Sequence, residues 1–273
     1  MHVVVIAGKY QLPALAVERL KAAGVRVSAI VFEDEVAQAM RGRADDVEQF
    51  QITQVGAVLK HIKMLAQSGA DSVLFAGKFS TIVLEWGLKF DLKALTMLAM
   101  LKDRRTDTIM LAIIEEIEKL GVKVLSQMDI CKDLLITEGL ISKTKPTDKQ
   151  MNDVHFGYKI ARGIAGLDIG QSVVVNNLDV IAVEAIEGTD RLIVRAGELL
   201  PKGGWTLVKV AKPIQDVRFD VPTIGMTTLQ NIKQAGGKVI AIEADRTFIV
   251  EREECVKFLN ANKIALLGYK ADN

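Results

Sequence analysis

Three carboxylates, Glu184, Glu187 and Asp190, fall within seven residues of one another. Asp216 and Asp220 flank Arg218 ahead of Pro222, and Lys209 and Lys212 precede them. Hard oxygen ligands of this kind suit Mg2+, or Mn2+, which keep several waters and complete their shell with substrate phosphates. The neighbouring lysines and arginine suit phosphate oxygens. Together these groups point to chemistry on a phosphoryl or diphosphate substrate. The spacing alone fits solvated charges and helix caps as well.

Other chemistries are excluded. His2, His61 and His155 are scattered, so no histidine-based zinc site is expected. No GxSxG elbow occurs, which removes the argument for a serine triad. Cys131 and Cys255 stand 124 positions apart with no CxxC spacing, and read as two reduced, buried thiols. Lys and Arg number 35 against 34 Asp and Glu, a balance that leaves no broad footprint for nucleic acid. The longest apolar runs fall short of a membrane span, so the chain is expected to be soluble.

The elements that must position these groups begin with Val3–Ala7, a continuous β-branched run that reads as a buried strand. Pro13 starts a helix that Gly24 closes, and Val25–Val31 is the next strand. Thr53 is expected to cap a helix carrying Val55, Val58, Leu59 and Ile62. Strand Val73–Ala76 follows, then a helix capped by Asp107, and a strand over Val122–Leu125. This alternation predicts a parallel sheet with helices on both faces. Two strands end alike, as AGKY at 7–10 and AGKF at 76–79. Ligands of open α/β sheets sit beyond the carboxyl ends of the strands. Gly8, Lys9, Gly77 and Lys78 are therefore candidate substrate contacts through backbone amides and lysine charge, although neither turn has a known phosphate-loop frame.

The second half has a helix over Asp148–Ile164, then short strands at Gln171–Val175, Val180–Ala185 and Thr206–Ala211. A helix at Ile224–Ala235, strands at Lys238–Ala244 and Phe248–Val250, a helix at Glu251–Asn262 and an apolar run Ile264–Leu267 complete it. The expectation is two α/β domains, 1–135 with a parallel sheet and 136–273 with a mixed sheet. In the stretch Arg218–Pro222 an extended chain turns Phe219 and Val221 inward and presents Asp220 on the other side.

DIGQSVVV at 168–175, IAVEAIEGTDRLIVRAG at 181–197, KGGWTLVKVAKPIQDVRFDVPTIG at 202–225 and IAGKYQLPALA at 6–16 resemble the UDP-2,3-diacylglucosamine pyrophosphatase family of lipid A biosynthesis, in its form unrelated to calcineurin-like phosphoesterases. The resemblance continues through Asp91-Leu-Lys93, Glu116–Gly121 and Leu134–Gly139. It departs at Gly8-Lys9, where relatives often have G-x-G, and after Lys78, where many have Val-x-Arg-Pro.

The resemblance implies Mg2+-dependent hydrolysis of UDP-2,3-diacylglucosamine to UMP and 2,3-diacylglucosamine 1-phosphate (lipid X), with attack at the sugar-side phosphorus. It makes 1–135 a Rossmann-like domain and 136–273 the catalytic domain, with the substrate cleft between them, and Asp220 the essential aspartate, which is expected to bind the metal or to orient the attacking water beside it. Asp216, Arg218, Lys209 and Lys212 are its catalytic company, and Glu184, Glu187 and Asp190 are candidate co-ligands. Gln171, Thr189 and Thr223 join the glycine turns as candidate substrate contacts. An apolar groove for two acyl chains is expected between the domains, drawn from Met97, Leu98 and Leu101. A cytoplasmic protein attached peripherally to the inner membrane follows, with a homodimer as the default assembly. The alternatives are a non-catalytic regulator that binds nucleotide or sugar phosphate, and a hydrolase of a soluble nucleotide-sugar.

Overall fold

A computed structural model of the chain describes residues 1–79, 90–103 and 105–271. The chain divides into two units, Met1–Lys132 with Val217–Asp220, and Asp133–Asp216 with Val221–Asn273.

The first unit runs β1 (His2–Ala7), α1 (Leu12–Ala22), β2 (Arg26–Val31), α2 (Asp34–Met40), β3 (Asp46–Gln49), α3 (Val55–Gln67), β4 (Ser72–Ala76), α4 (Leu92–Met100), α5 (Thr106–Glu118), β5 (Lys123–Val124) and α6 (Gln127–Ile130). Its sheet is parallel, in the order β3-β2-β1-β4-β5. Every residue of β1 and β4 is buried, as their unbroken apolar runs demand. Val4, Ile6, Ile30, Val73 and Phe75 pack on one face against Val58 and Ile62 of α3 and Ile114 and Ile117 of α5.

Two expected caps are replaced. The N-cap of α3 is Gln54, not Thr53, and that of α5 is Arg105, not Asp107. Asp91 supplies the missing acceptor at α3. Its carboxylate takes the Gly56 amide at 2.7 Å and caps its own helix, α4, through the Ala94 amide at 2.8 Å. One side chain thus serves two helix starts, each with otherwise unpaired N–H groups.

The second unit runs β6 (Gly139–Leu140), α7 (Asp148–Gly166), β7 (Ser172–Asn176), β8 (Asp179–Val183), α8 (Thr189–Leu199), β9 (Thr206–Lys209), β10 (Thr223–Ile224), α9 (Met226–Gln234), β11 (Val239–Glu243), β12 (Phe248–Ile249), α10 (Arg252–Ala261) and β13 (Ala265–Tyr269). Six strands form a mixed sheet, β6-β13-β11-β9-β7-β8, and β10 pairs with β12 apart from it. Val154, Ala161 and Ala165 of α7 cover one face through Val173, Val175, Val208 and Ala241. Leu192 and Ile193 of α8, Leu229 of α9 and Leu259 of α10 cover the other through Val174, Leu207, Ile240 and Leu266. The alternation along each strand assigns successive residues to opposite layers. An α/β protein with one parallel and one mixed sheet is what the sequence led us to expect. Helix α8 was not expected. Cys131 and Cys255 are buried thiols that form no disulfide, and burial pushes the Cys255 thiol up to about 12.

Candidate active site

In the first unit the strand order reverses between β1 and β4, so the crevice beyond their carboxyl ends is where an open α/β sheet takes ligands. Both glycine turns lie there, and the Gly8, Lys9 and Lys78 amides are taken by main-chain carbonyls. The Lys9 N–H donates to the Lys78 carbonyl at 2.9 Å, the Lys78 N–H to the Lys9 carbonyl at 3.1 Å, and the Gly8 N–H to the Ala76 carbonyl at 2.7 Å. The glycines allow this approach. A Cβ on Gly8 would stand 2.6 Å from the Lys78 carbonyl oxygen, and one on Gly77, at φ +87°, 2.5 Å from that of Lys9. What remains for a ligand is side-chain charge. Lys9 pairs with Glu33 at 3.0 Å, and its hydrogen bond to that carboxylate holds its ammonium pKa above the usual lysine value. Lys78 is exposed and forms no ion pair among the described residues.

Two spaces adjoin at this edge. One is walled by apolar groups, among them Phe75, Ala94, Met97, Leu98, Leu101 and Met110. The other is bounded by Gly8, Lys9, Glu33 and Lys78. Phe32, Ile52 and Phe79 line both. Met97, Leu98 and Leu101 thus do face an apolar space, and it is lined wholly by residues of the first unit.

Asp220 closes the four-residue segment that the second half of the chain returns to this unit. The Val217 carbonyl accepts from the Gln127 amide at 2.9 Å. The Arg218 guanidinium meets Glu118 at 3.2 Å, so the expected phosphate clamp is engaged by a carboxylate of α5. Phe219 is buried in the same core as Phe75 and Val124. The inward turn of Phe219 and Val221 matches expectation, but 217–219 form a turn rather than an extended strand. Asp220 lies within about 10 Å of Val217 by chain length alone.

In the second unit, family-scale comparison and geometry meet. The chain matches the model of the LpxI N-terminal domain over residues 2–134 and that of the LpxI C-terminal domain over 137–267. It belongs to the LpxI family. A curated relative, the UDP-2,3-diacylglucosamine pyrophosphatase LpxI of Caulobacter vibrioides, is 31% identical over 226 residues, covering 78% of this chain and 80% of that protein. Among solved structures, the biotin carboxylase domain of a thermophilic 2-oxoglutarate carboxylase with ADP matches 74% of this chain and 32% of its own, at TM-score 0.28 and 12% identity. The corresponding domain from Hydrogenobacter thermophilus gives TM-score 0.28 and 15% identity, over 74% of this chain and 41% of its own.

This LpxI-family chain gathers a buried polar group at the end of β9. The Lys209 ammonium donates to Thr189 Oγ1 at 2.8 Å and lies 3.4 Å from Ser172 Oγ. Thr189, the first residue of α8, donates to Glu184 at 2.9 Å, and the Gln171 amide reaches the other Glu184 oxygen at 3.4 Å. Lys209 and Glu184 are buried, and Gln171 Oε1 is buried without a partner among the described residues. Four expected residues, Gln171, Glu184, Thr189 and Lys209, are therefore brought together.

The expected carboxylate cage is not. Glu187 pairs with Arg195 at 2.5 Å, and Asp190 accepts from Thr228 at 3.1 Å. Among the described residues no three His, Cys, Asp or Glu side chains gather to hold a metal ion. Glu184, Glu187 and Asp190 do not fit a shared Mg2+; each already has its own donor. A single carboxylate such as Asp220, with substrate phosphates and waters, still fits the habit of that ion. Lys212 pairs with Asp168 at 2.7 Å, and its amide binds Gln215, ahead of Asp216. Thr223 Oγ1 is spent on the Val221 carbonyl at 3.0 Å.

Two buried residues went unseen in the sequence. Glu243, at the end of β11, accepts from the Ala211 amide at 2.7 Å and from Tyr158, and pairs with Arg162 at 3.4 Å. Burial first, and the Glu243 charge second, raise the Tyr158 pKa. The other is Gln127. Its signal was available for neither: both lie in runs whose period reports only burial.

Proposed function

We propose that the chain hydrolyses UDP-2,3-diacylglucosamine to UMP and 2,3-diacylglucosamine 1-phosphate. The observation that carries this reading is the pair of adjoining spaces in the first unit, one apolar and one bounded by Lys9 and Lys78. That pairing suits an amphiphile whose acyl chains leave water while its sugar phosphate meets ammonium groups. The name of the Caulobacter relative supplies the substrate class.

In this reading Asp220 holds or orients the attacking water at the sugar-side phosphorus. The water oxygen bonds to that phosphorus, the bond to the bridging oxygen breaks, and UMP leaves with that oxygen. Lys78 and Lys9 offset charge on the sugar phosphate. In the second unit Thr189 and Glu184 fix the direction of the buried Lys209 ammonium, a charge suited to phosphate oxygens. A Mg2+ ion held by Asp220 and the diphosphate would supply neutralisation of the phosphate charge.

Among the described residues no helix is long and apolar enough to cross a membrane. Helix α4, which lines the apolar space, also exposes Leu92, Leu95 and Met100. These features support peripheral contact with the cytoplasmic face of the membrane that holds the lipid. The test is UMP release with Mg2+, comparing the diacylated nucleotide with UDP-glucose. Turnover of the lipid alone is expected. Equal turnover of both, or binding without release, would overturn the reading.

A further inference from the structure

We infer that Gln127 is a positioning residue for Asp220. This rests on the reading of Asp220 given above. Strand β5 is only two residues long, and its last rung to β4 is the Leu125 amide on the Val73 carbonyl at 2.8 Å. Carbonyls two apart on a strand point to the same side. The Phe75 carbonyl therefore also points toward β5, past the place where that strand ends. Left alone it would be a buried acceptor without a donor, a costly state. The Gln127 side chain completes the ladder instead, donating Nε2–H to the Phe75 oxygen at 3.0 Å.

The same residue holds the returning segment. Gln127 opens α6, so its main-chain N–H has no partner within that helix. It donates to the Val217 carbonyl at 2.9 Å. Gln127 is 2% exposed. One buried residue thus ties the β4 end, two residues before Gly77-Lys78, to the segment that ends in Asp220. Phe219, seated in the core beside Phe75, is the second pin. Glutamine is suited to this place because it donates to a carbonyl without charge. Methionine would fill the space and leave the carbonyl orphaned. Glutamate would set an acceptor against an acceptor until protonated.

The experiment measures UMP release by full-length Gln127→Met, Gln127→Glu, Phe219→Leu and Asp220→Ala, with melting curves for each. Misplacement by about 1 Å costs on the order of 100-fold in rate, so Gln127→Met should lose roughly 10- to 100-fold in kcat with KM nearly unchanged. Phe219→Leu should give the same split. Gln127→Glu should be impaired in mildly alkaline buffer and regain activity, relative to wild type, as the carboxyl protonates. The Gln127→Met ratio should stay flat with pH. A Gln127→Met protein with wild-type kcat beside an inactive Asp220→Ala overturns the inference alone. So does a loss confined to melting temperature or to KM. An active Asp220→Ala instead removes the reading of Asp220 on which the inference rests. Should Gln127→Met not fold, a flat Gln127→Glu ratio together with wild-type kcat in Phe219→Leu overturns it equally.

Discussion

Acyl-chain length gives the most quantitative test of the apolar space beneath α4. Its walls are almost entirely hydrocarbon, so a chain entering it gains the full transfer free energy. Each buried methylene is worth about 0.8 kcal/mol. Shortening both acyl chains by two methylenes removes four, or about 3 kcal/mol, which is roughly 200-fold in kcat/KM. The assay is the initial rate of UMP release from monomeric substrates with short acyl chains, held below their critical micelle concentration so that the chains enter from water. A partner variant locates the effect. Ala94 is buried on the inner side of α4, and Ala94→Phe places a ring in the space. It should depress turnover of the longer-chain substrate and spare the shorter one, narrowing the ratio. A change under about fivefold across the series would refute burial of the chains here, since four methylenes cannot leave water so cheaply. An equal effect of Ala94→Phe on both substrates would refute the location.

Lys209→Met should lower kcat/KM by about 10- to 100-fold, the worth of one charged hydrogen bond, and lower the melting temperature as well, because Thr189 loses its buried donor; wild-type kcat/KM would show that this ammonium meets no phosphate. Gly77→Ala should destabilise by more than the ~1–2 kcal/mol of a left-handed backbone, because its methyl also meets the Lys9 carbonyl. Gly24→Ala, at φ +73° with open space around it, is the control that should lose only the conformational part in urea titration. The Glu187 carboxyl is held below its usual range by its own main-chain N–H first, against the opposing effect of burial, and then by Arg195 and the Ala185 amide. Its contribution is therefore present above the unfolded value of 4.5 and lost as pH falls through the lower folded value. The urea midpoint of wild type should exceed that of Glu187→Gln at neutral pH, and the gap should close on acidification.

Buried strands were the legible part of this chain. β1, β4 and β11 announce themselves by continuous apolar runs and β2 by a largely apolar one, and each stands within a residue or two of its expected place. Helix α8 hid because Gly188-Thr189-Asp190, which opens it, reads as a turn after the preceding strand. Its buried positions, Leu192, Ile193 and Ala196, nevertheless carry helical spacing. Caps were misread at Thr53 and Asp107 because the acceptor at α3 comes from Asp91, 35 residues away, which no local pattern reports. The candidate site divides in the same way. Gln171, Glu184, Thr189 and Lys209 converge because β7, β8 and β9 are neighbours and α8 follows β8. Proximity in sequence misled for Glu187 and Asp190, since Arg195 and Thr228 draw them in different directions. That Phe219 fills a core built from residues before 133 is a long-range fact, invisible to periodicity.

The return of Val217–Asp220 to the first unit also limits how such chains can be recombined. A cut near residue 135 looks natural, since the two family models meet there. An amino-terminal fragment ending at that point would lack the ring of Phe219 from its core and the acceptor for the Gln127 amide. A chimera joined there would set one parent's Phe75, Glu118 and Gln127 against the other parent's four-residue insert. The two halves are therefore not interchangeable cassettes. Heredity must treat residues 217–220 as part of the first half, although the gene writes them into the second.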